Sequence, residues 1–196
     1  MIYKKDITGV ILAAGKSGRM GEWKPLMQYQ GKSFLQNILG KLLRVCNSVI
    51  IVTGAHHEKL EAFGGTPAVQ LIHNQNYESG MLTSLQTGLS IVQTEFALSH
   101  FIDQPHLPIQ FYYDFLLCAS PNPNWTQPQY RYRAGHPLLF RRDVFPHILN
   151  ATPDKMLREI RSHESIIRDI IELDYPEILQ DIDTPEDYKK FLNESY

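Results

Sequence analysis

The chain has 196 residues, of which 43% are hydrophobic and 20% charged. This composition is typical of a soluble globular protein with one buried core, so we expect a single domain over residues 1–196. The 19 basic and 21 acidic residues give a net charge of −2, which argues against nucleic acid or an anionic membrane as a partner.

The first predicted strand, residues 7–12, ends in a loop that combines glycines with cations: Gly15, Lys16, Gly18, Arg19, Gly21 and Lys24. Glycines let the backbone approach a ligand closely and point successive amide N–H groups at phosphate oxygens. Arginine can grip a phosphate with two parallel hydrogen bonds, and lysine adds a point charge. The alternative is an ordinary βα turn, but so dense a mixture of glycine and cations favours a phosphate site.

Two familiar phosphate loops do not fit this spacing. A Walker loop needs a glycine, four residues and then Gly-Lys-Ser/Thr, and neither Gly15-Lys16 nor Gly31-Lys32 is preceded by that first glycine. A Rossmann fingerprint needs G-x-G-x-x-G, whereas the glycines of this loop stand three residues apart. Both of these nucleotide-binding classes are therefore excluded.

Helices and strands alternate along the next segment. Ser33 is placed to cap a helix whose apolar residues share one face: Phe34, Leu35, Ile38, Leu39, Leu42 and Leu43. Ser48–Thr53 and Val69–His73 are predicted strands, and residues 56–63 predict a short helix between them. This alternation predicts an α/β fold with a mostly parallel sheet, whose ligands gather at the carboxyl ends of the strands.

The next strand ends in residues 74–80, and a helix is predicted over residues 81–93 with one apolar face. Ser79 and Gly80 stand at the start of this helix, and Ser84 lies one turn inside it. A helix N-terminus with small hydroxyl residues suits an anion or the edge of a base, although a plain Ser-Gly cap would also explain it.

Residues 97–102 predict a fourth strand that runs directly into Asp103-Gln104-Pro105. A carboxylate at the end of a central parallel strand lies over the same edge as the glycine loop. Mg²⁺ is held in such sites by one or two carboxylates with phosphate oxygens and water. Asp103 is therefore a candidate Mg²⁺ ligand.

The second half of the chain is less regular. Residues 120–132 are rich in Pro, Asn and Gln and predict a loop, and His136 follows in a Gly-His-Pro turn as a candidate substrate contact. We expect Asp143 to cap a short helix through residue 149, another helix over residues 156–160, and a half-exposed strand over residues 166–173.

A strong helix start follows, with Thr184 as the cap, Pro185 in the first turn and two acidic residues after it. Capping explains those two acidic residues but not Asp181 and Asp183, which precede the helix. One of these two aspartates is therefore free to be a second metal ligand.

The two cysteines, Cys46 and Cys118, lie far apart in apolar surroundings and are expected to be buried thiols in a reducing compartment. The N-terminal apolar run is too short for a signal peptide, and no apolar stretch approaches the roughly 18 residues of a membrane span. We therefore expect a cytoplasmic protein.

Five motifs, in order along nearly the whole chain, resemble the molybdenum cofactor nucleotidyltransferases, the MobA-like NTP transferases: residues 12–26, 76–88, 103–105, 135–137 and 181–187. The resemblance implies a three-layer, Rossmann-like α/β sandwich of the nucleotide-diphospho-sugar transferase type. It also implies Mg²⁺-dependent transfer of a nucleoside monophosphate onto a phosphate acceptor such as the pterin of molybdenum cofactor. Ala14, where guanylyl enzymes tend to have glycine, points to CTP. Residues 152–158 lack a glycine that the family carries, which leaves the acceptor open.

The resemblance also implies a role for each site residue. Arg19, Lys24 and Asp103 would be catalytic, and Asp103 and Asp183 would hold the metal. The nucleotide would be bound by Leu12, Ala13, Ala14, Gly15, Ser79, Gly80 and Ser84. His136 would lie on the acceptor side.

Two other functions remain open from the sequence. The first is the same chemistry on a sugar or polyol phosphate, which a substrate panel would distinguish. The second is a non-catalytic, nucleotide-binding accessory protein that hands molybdenum cofactor to a molybdoenzyme. Such a carrier has no need for two metal carboxylates, and it would bind CTP without releasing pyrophosphate.

Overall fold

The computed structural model of the protein describes residues 1–194. Its strands, in chain order, are β1 (Ile7–Ala13), β2 (Gln28–Tyr29), β3 (Lys32–Ser33), β4 (Ser48–Thr53), β5 (Val69–His73), β6 (Phe96–Phe101), β7 (Trp125–Tyr130), β8 (Arg133–Ala134), β9 (Leu138–Arg141) and β10 (Arg168–Glu172).

Residues 1–194 also form six α-helices: α1 (Phe34–Val45), α2 (Met81–Leu89), α3 (Ile109–Cys118), α4 (Phe145–Leu149), α5 (Leu157–Ile160) and α6 (Pro185–Glu194). Short 3₁₀ helices cover Lys4–Asp6, Lys24–Leu26, His57–Phe63, Tyr77–Ser79, Arg142–Val144 and Pro176–Leu179.

The main sheet has the strand order β10-β7-β9-β6-β1-β4-β5, with β8 paired to β7. Strands β6, β1, β4 and β5 are parallel, β9 is antiparallel to both of its neighbours, and β7 again points the same way as β1. The predicted α/β fold with a mostly parallel sheet is confirmed. The carboxyl ends of β1, β4, β6 and β7 meet at one edge, which we call the carboxyl edge.

Both faces of the sheet are covered, because side chains of the central strand alternate between two cores. Ile11 belongs to a core shared with α1 and α3, whereas Val10 and Leu12 belong to a core shared with α2, α4 and α5. Helix α2 lies close to the sheet: a Cβ on Gly88 would come within 2.5 Å of Val10. The result is the expected three-layer sandwich.

Two predicted helix starts have the expected capping geometry. Ser33 Oγ accepts from the Gln36 N–H at 3.1 Å, and the Gln36 side chain accepts from the Ser33 N–H at 2.8 Å. Thr184 and Asp187 exchange the same kind of bonds, at 3.2 and 2.9 Å. These reciprocal bonds satisfy amide groups that would otherwise lack partners in the first helical turn.

The loop prediction for residues 120–132 is wrong for Trp125–Tyr130, which form β7. Strand β7 is enclosed between β9 and β10, and its polar side chains have partners there: Gln127, for example, donates to the Gly135 carbonyl at 3.1 Å. Pro128 has no N–H to donate, but its carbonyl accepts from the Gly135 N–H at 2.9 Å. Tertiary pairing thus overrides a loop-like composition.

Several smaller predictions also differ from the structure. Helix α2 ends at Leu89, four residues before its predicted end. Asp143 lies inside a 3₁₀ turn and pairs with Arg141, so it does not cap α4. Cys46 is buried as expected, but Cys118 is exposed at the end of α3. Within residues 1–194, no helix has the length and apolar character needed to cross a membrane.

Candidate functional site

A cavity of about 390 Å³ opens at the carboxyl edge, between the glycine loop and the first turn of α2. It is lined by Leu12, Gly15, Ser17, Gly18, Arg19, Lys24, Tyr77, Gly80, Met81, Ser84, Phe101, Ile102, Asp103 and Asp183. Segments distant in sequence therefore meet where the strand-end rule places a ligand.

The glycine loop is fixed by its own side chains. The Trp23 indole N–H donates to the Gly15 carbonyl at 3.1 Å, and Ser17 Oγ accepts from the Lys24 N–H at 3.1 Å. Gly21 adopts φ +75°, a conformation that favours glycine. These contacts place Lys24 at the floor of the cavity, where it is only 7% exposed.

The Lys24 ammonium group lies between the two candidate metal ligands, Asp103 and Asp183. Its Nζ lies 2.5 Å from Asp183 Oδ1 and 3.8 Å from Asp103 Oδ2. Arg19 reaches the other oxygen of Asp183 at 2.8 Å, but its side chain is 75% exposed. Two carboxylates thus face two cations at the mouth of the glycine loop.

The two carboxylates differ in acidity. Burial, with a further contribution from the charge of Asp181, raises the pKa of Asp103 to about 6, although Lys24 opposes this shift. Burial also disfavours the charge on Asp183, but the hydrogen bond and charge of Lys24, with Arg19, outweigh it and lower the pKa of Asp183. Asp103 Oδ1 is buried without a hydrogen-bond partner. A bound cation would satisfy that oxygen.

The sequence leaves open whether Asp181 or Asp183 is the second candidate metal ligand, and the structure distinguishes the two. Asp181 accepts from the Gln104 amide at 2.9 Å and does not line the main cavity. Asp183 lines it and contacts Lys24. The Ile182 N–H also donates to the Asp103 carbonyl at 3.1 Å, which fixes the segment bearing both aspartates against the strand end of β6.

The opposite wall is organised by Asn74, which the sequence argument did not single out. Its buried amide donates to Thr83 Oγ1 and Ser84 Oγ, both at 3.0 Å. Gly54 packs closely enough that a Cβ there would lie 2.6 Å from the Tyr77 side chain and from the Ala14 carbonyl. The position of Asn74 directly after β5 was the signal in the sequence that it lies near the site. Its hydrogen-bond partners on α2 become visible only in the fold.

His136 lies behind the wall of the cavity and not in its lining. Its ring packs against Phe101, a lining residue, with centroids 4.3 Å apart, and its Nδ1 is buried without a hydrogen-bond partner. Burial lowers the pKa of His136 to about 4. The ring is therefore neutral at physiological pH.

The predicted site residues fall into two groups. The cavity lining includes Leu12, Gly15, Arg19, Lys24, Gly80, Ser84, Asp103 and Asp183. Outside this lining lie Ala13, Ala14, Ser79 and His136. Ala14 instead supports the loop, because its carbonyl accepts from the Ala55 N–H at 3.0 Å.

The fold and its cavity place the protein among the α/β proteins of the nucleotide-diphospho-sugar transferase type. Residues 9–168 match the MobA-like NTP transferase domain. The chain belongs to that family.

Similar proteins cover almost the whole chain. A molybdenum cofactor cytidylyltransferase from Escherichia coli (strain K12) is 30% identical, over 91% of this chain and 92% of its own. A nicotine blue oxidoreductase from Paenarthrobacter nicotinovorans is 25% identical, over 95% and 96%. The crystal structure of Rv0371c from Mycobacterium tuberculosis H37Rv superposes with a TM-score of 0.80 at 23% identity, over 96% of this chain and 99% of that one.

Proposed function

We propose that the protein transfers a nucleoside monophosphate, CMP from CTP, onto the phosphate of a pterin-type molybdenum cofactor and releases pyrophosphate. The observation that carries the proposal is the placement of Lys24 between Asp103 and Asp183, at the mouth of the glycine loop. A site that only gripped an anion would have no use for two carboxylates beside its phosphate-binding cations.

The chain's own residues would act by charge and position. An oxygen of the acceptor phosphate attacks the α-phosphorus, the bond to the bridging oxygen breaks, and pyrophosphate leaves with the electron pair. The acceptor is already a nucleophile, so little covalent chemistry is asked of the protein. Backbone N–H groups of the glycine loop hold the triphosphate, while Lys24 and Arg19 stabilise negative charge on the α-phosphate and on the leaving group.

Asp103 and Asp183 fit a divalent cation, which we take to be Mg²⁺. The fit rests on the buried Asp103 Oδ1, which lacks a partner, and on the two carboxylates sharing one lysine. Among residues 1–194, no three His, Cys, Asp or Glu side chains form a metal-binding group, so phosphate oxygens and water would complete the coordination. When bound, such an ion neutralises charge on the phosphates.

The choice of CTP rests on Ala14 and on the similarity to the E. coli cytidylyltransferase. A Cβ at position 14 stands where guanylyl enzymes tend to have glycine. Fewer observations support the identity of the acceptor than that of the nucleotide. A sugar or polyol phosphate is the alternative acceptor. The similarity to an oxidoreductase does not favour redox chemistry here, because the glycine loop lacks the G-x-G-x-x-G spacing of a dinucleotide site.

The test is pyrophosphate release with Mg²⁺ and each of CTP, GTP, ATP and UTP, with and without molybdopterin-bound molybdenum. We expect release that needs both CTP and the pterin. Release with a sugar or polyol phosphate alone would move the acceptor to that class. Nucleotide binding with no release for any acceptor would refute catalysis and support the accessory carrier.

A further inference from the structure

The hairpin formed by β7 and β8 extends past the carboxyl edge. Through Leu139 of β9, Thr126 is level with Leu98 of β6; β7 continues four residues beyond that level, to Tyr130, whereas β6 continues three, to Phe101, its last residue. Tyr132 lies in the two-residue turn that follows β7, because Tyr130 pairs with Arg133, so the tip stands roughly one to two strand residues, or about 3–7 Å, beyond that strand end. After the tip the chain returns through Gly135 to His136, whose ring packs against Phe101 in the cavity wall. The hairpin therefore stands at the rim of the cavity, on the His136 side.

The tip holds two residues in an unfavourable conformation. Arg131 has φ 46° and Tyr132 has φ 63°, left-handed values that tight hairpins usually give to Asn and Gly. The Glu172 carboxylate compensates, because it accepts from the Arg131 N–H at 2.6 Å and from the Gln129 amide at 2.9 Å. A neighbouring strand thus holds large side chains at positions where small ones would be easier. Such strain is often kept where side chains have a binding role.

The side chains at the tip are exposed to solvent. Tyr132 is 93% exposed, and Arg131 and Arg133 are exposed as well. Within the described part of the chain, no ion pair joins either guanidinium to a carboxylate. In the glycine loop, by contrast, Arg19 and Lys24 are both paired with acidic residues. Among the described residues, the tip therefore offers two guanidinium groups without an ion-pair partner, beside the one carboxylate of Glu172.

The Arg131 guanidinium also stacks on the ring of Tyr130, 5.1 Å from its centroid. Tyr130 is partly buried against the core beneath the hairpin. This stacking restricts the arginine and reduces the entropy lost when it binds a ligand. One guanidinium of the tip is thus partly preorganised.

From these features we infer that Arg131, Tyr132 and Arg133 form the outer part of the acceptor site and bind a phosphate monoester carried on a flat ring system. The arginines pair with the phosphate, and the Tyr132 ring stacks on the ring system. The inference rests on the proposed function for the identity of the ligand as an acceptor. It adds residues that neither the motifs nor the cavity lining include.

The test measures ligand binding apart from turnover. The probe is 6-hydroxymethylpterin phosphate, whose fluorescence reports binding to the full chain in Mg²⁺ and α,β-methylene-CTP. The variants are the double variant R131Q/R133Q and, separately, Y132A. The matched control is R44Q, since Arg44 is an exposed arginine in the last turn of α1, at the opposite edge of the sheet. Circular dichroism checks that each variant folds.

We expect the double variant to raise the Kd for the probe at least tenfold and Y132A to raise it at least threefold. R44Q should leave it within twofold, and the Kd for α,β-methylene-CTP alone should not change in any variant. Equal binding by wild type and the double variant, or no binding by wild type, would overturn the inference. If the double variant loses the probe but no acceptor supports pyrophosphate release, the proposed function fails and the binding site at the tip stands.

Discussion

Replacing Lys24 by methionine should strengthen metal binding while it weakens catalysis. In the protein without ligands, Lys24 Nζ forms a 2.5 Å hydrogen bond with Asp183 and lies 3.8 Å from Asp103. A cation entering between the carboxylates must break that bond and tolerate a neighbouring positive charge. A hydrogen bond between charged groups contributes about 1.5–3 kcal/mol. Since about 1.4 kcal/mol is tenfold in affinity, K24M should bind Mn²⁺ roughly 10 to 100 times more tightly.

Catalysis should change in the opposite direction. Lys24 is the buried cation available to the α-phosphate, so K24M should reduce kcat by about 10² to 10³. Mn²⁺ affinity is measured without nucleotide from the electron paramagnetic resonance signal of free Mn²⁺. The measurement belongs at pH 8, because Asp103, with a pKa of about 6 in the presence of Lys24, protonates more readily once the lysine is gone.

The matched control is K16M. Lys16 lies in the same loop, but it pairs with Glu78 and not with the two aspartates. Its removal should alter Mn²⁺ affinity by less than threefold. If K24M bound Mn²⁺ no more tightly than wild type, the placement of the metal between Asp103 and Asp183 would be wrong.

Three further predictions concern single residues. Asp103→Asn should lower kcat by about 10² to 10³ in saturating Mg²⁺ while CTP binding changes little, and a near wild-type rate would remove Asp103 from the metal site. Gly54→Ala should destabilise the fold by about 1–3 kcal/mol in urea titrations, because its Cβ would meet the Ala14 carbonyl and the Tyr77 ring at 2.6 Å. Burial lowers the pKa of His100 from 6.5 to about 3, so the folded state resists a proton that the unfolded chain accepts. This contribution to stability is complete above pH 6.5 and falls as the pH drops, by about 2 kcal/mol at pH 5. His100→Gln should therefore show a smaller loss of unfolding free energy between pH 8 and pH 5 than wild type, and an equal loss would refute the assignment.

The sequence predicted those parts of the site that depend on local chemistry. Glycines and cations after a buried strand identify a phosphate loop without tertiary information, and a carboxylate at a strand end follows from the strand-end rule. The structure brings Lys24 and Asp103 to one cavity, as these two arguments together predict. It places Asp183 there as well, which only the position before the helix and the family resemblance had indicated. Their roles in catalysis and metal binding stay predictions until the variants are measured.

Features that depend on contacts between distant segments could not be predicted. Strand β7 has the composition of a loop, and only its position between β9 and β10 makes it a strand. Asp181 and Asp183 are equivalent in sequence, and the Gln104 side chain separates them by binding Asp181. Asn74 has no obvious role until α2 packs against the sheet and brings Thr83 and Ser84 to its amide.

The central claim is that the protein transfers the nucleotidyl group and not a terminal phosphate. The most direct test follows radioactive phosphorus from CTP labelled at either the α- or the γ-position, with Mg²⁺ and molybdopterin-bound molybdenum as the acceptor. The account predicts that the α-label is transferred to the acceptor and that the γ-label leaves in pyrophosphate. Transfer of the γ-label to the acceptor, or retention of both labels in CTP, would contradict it.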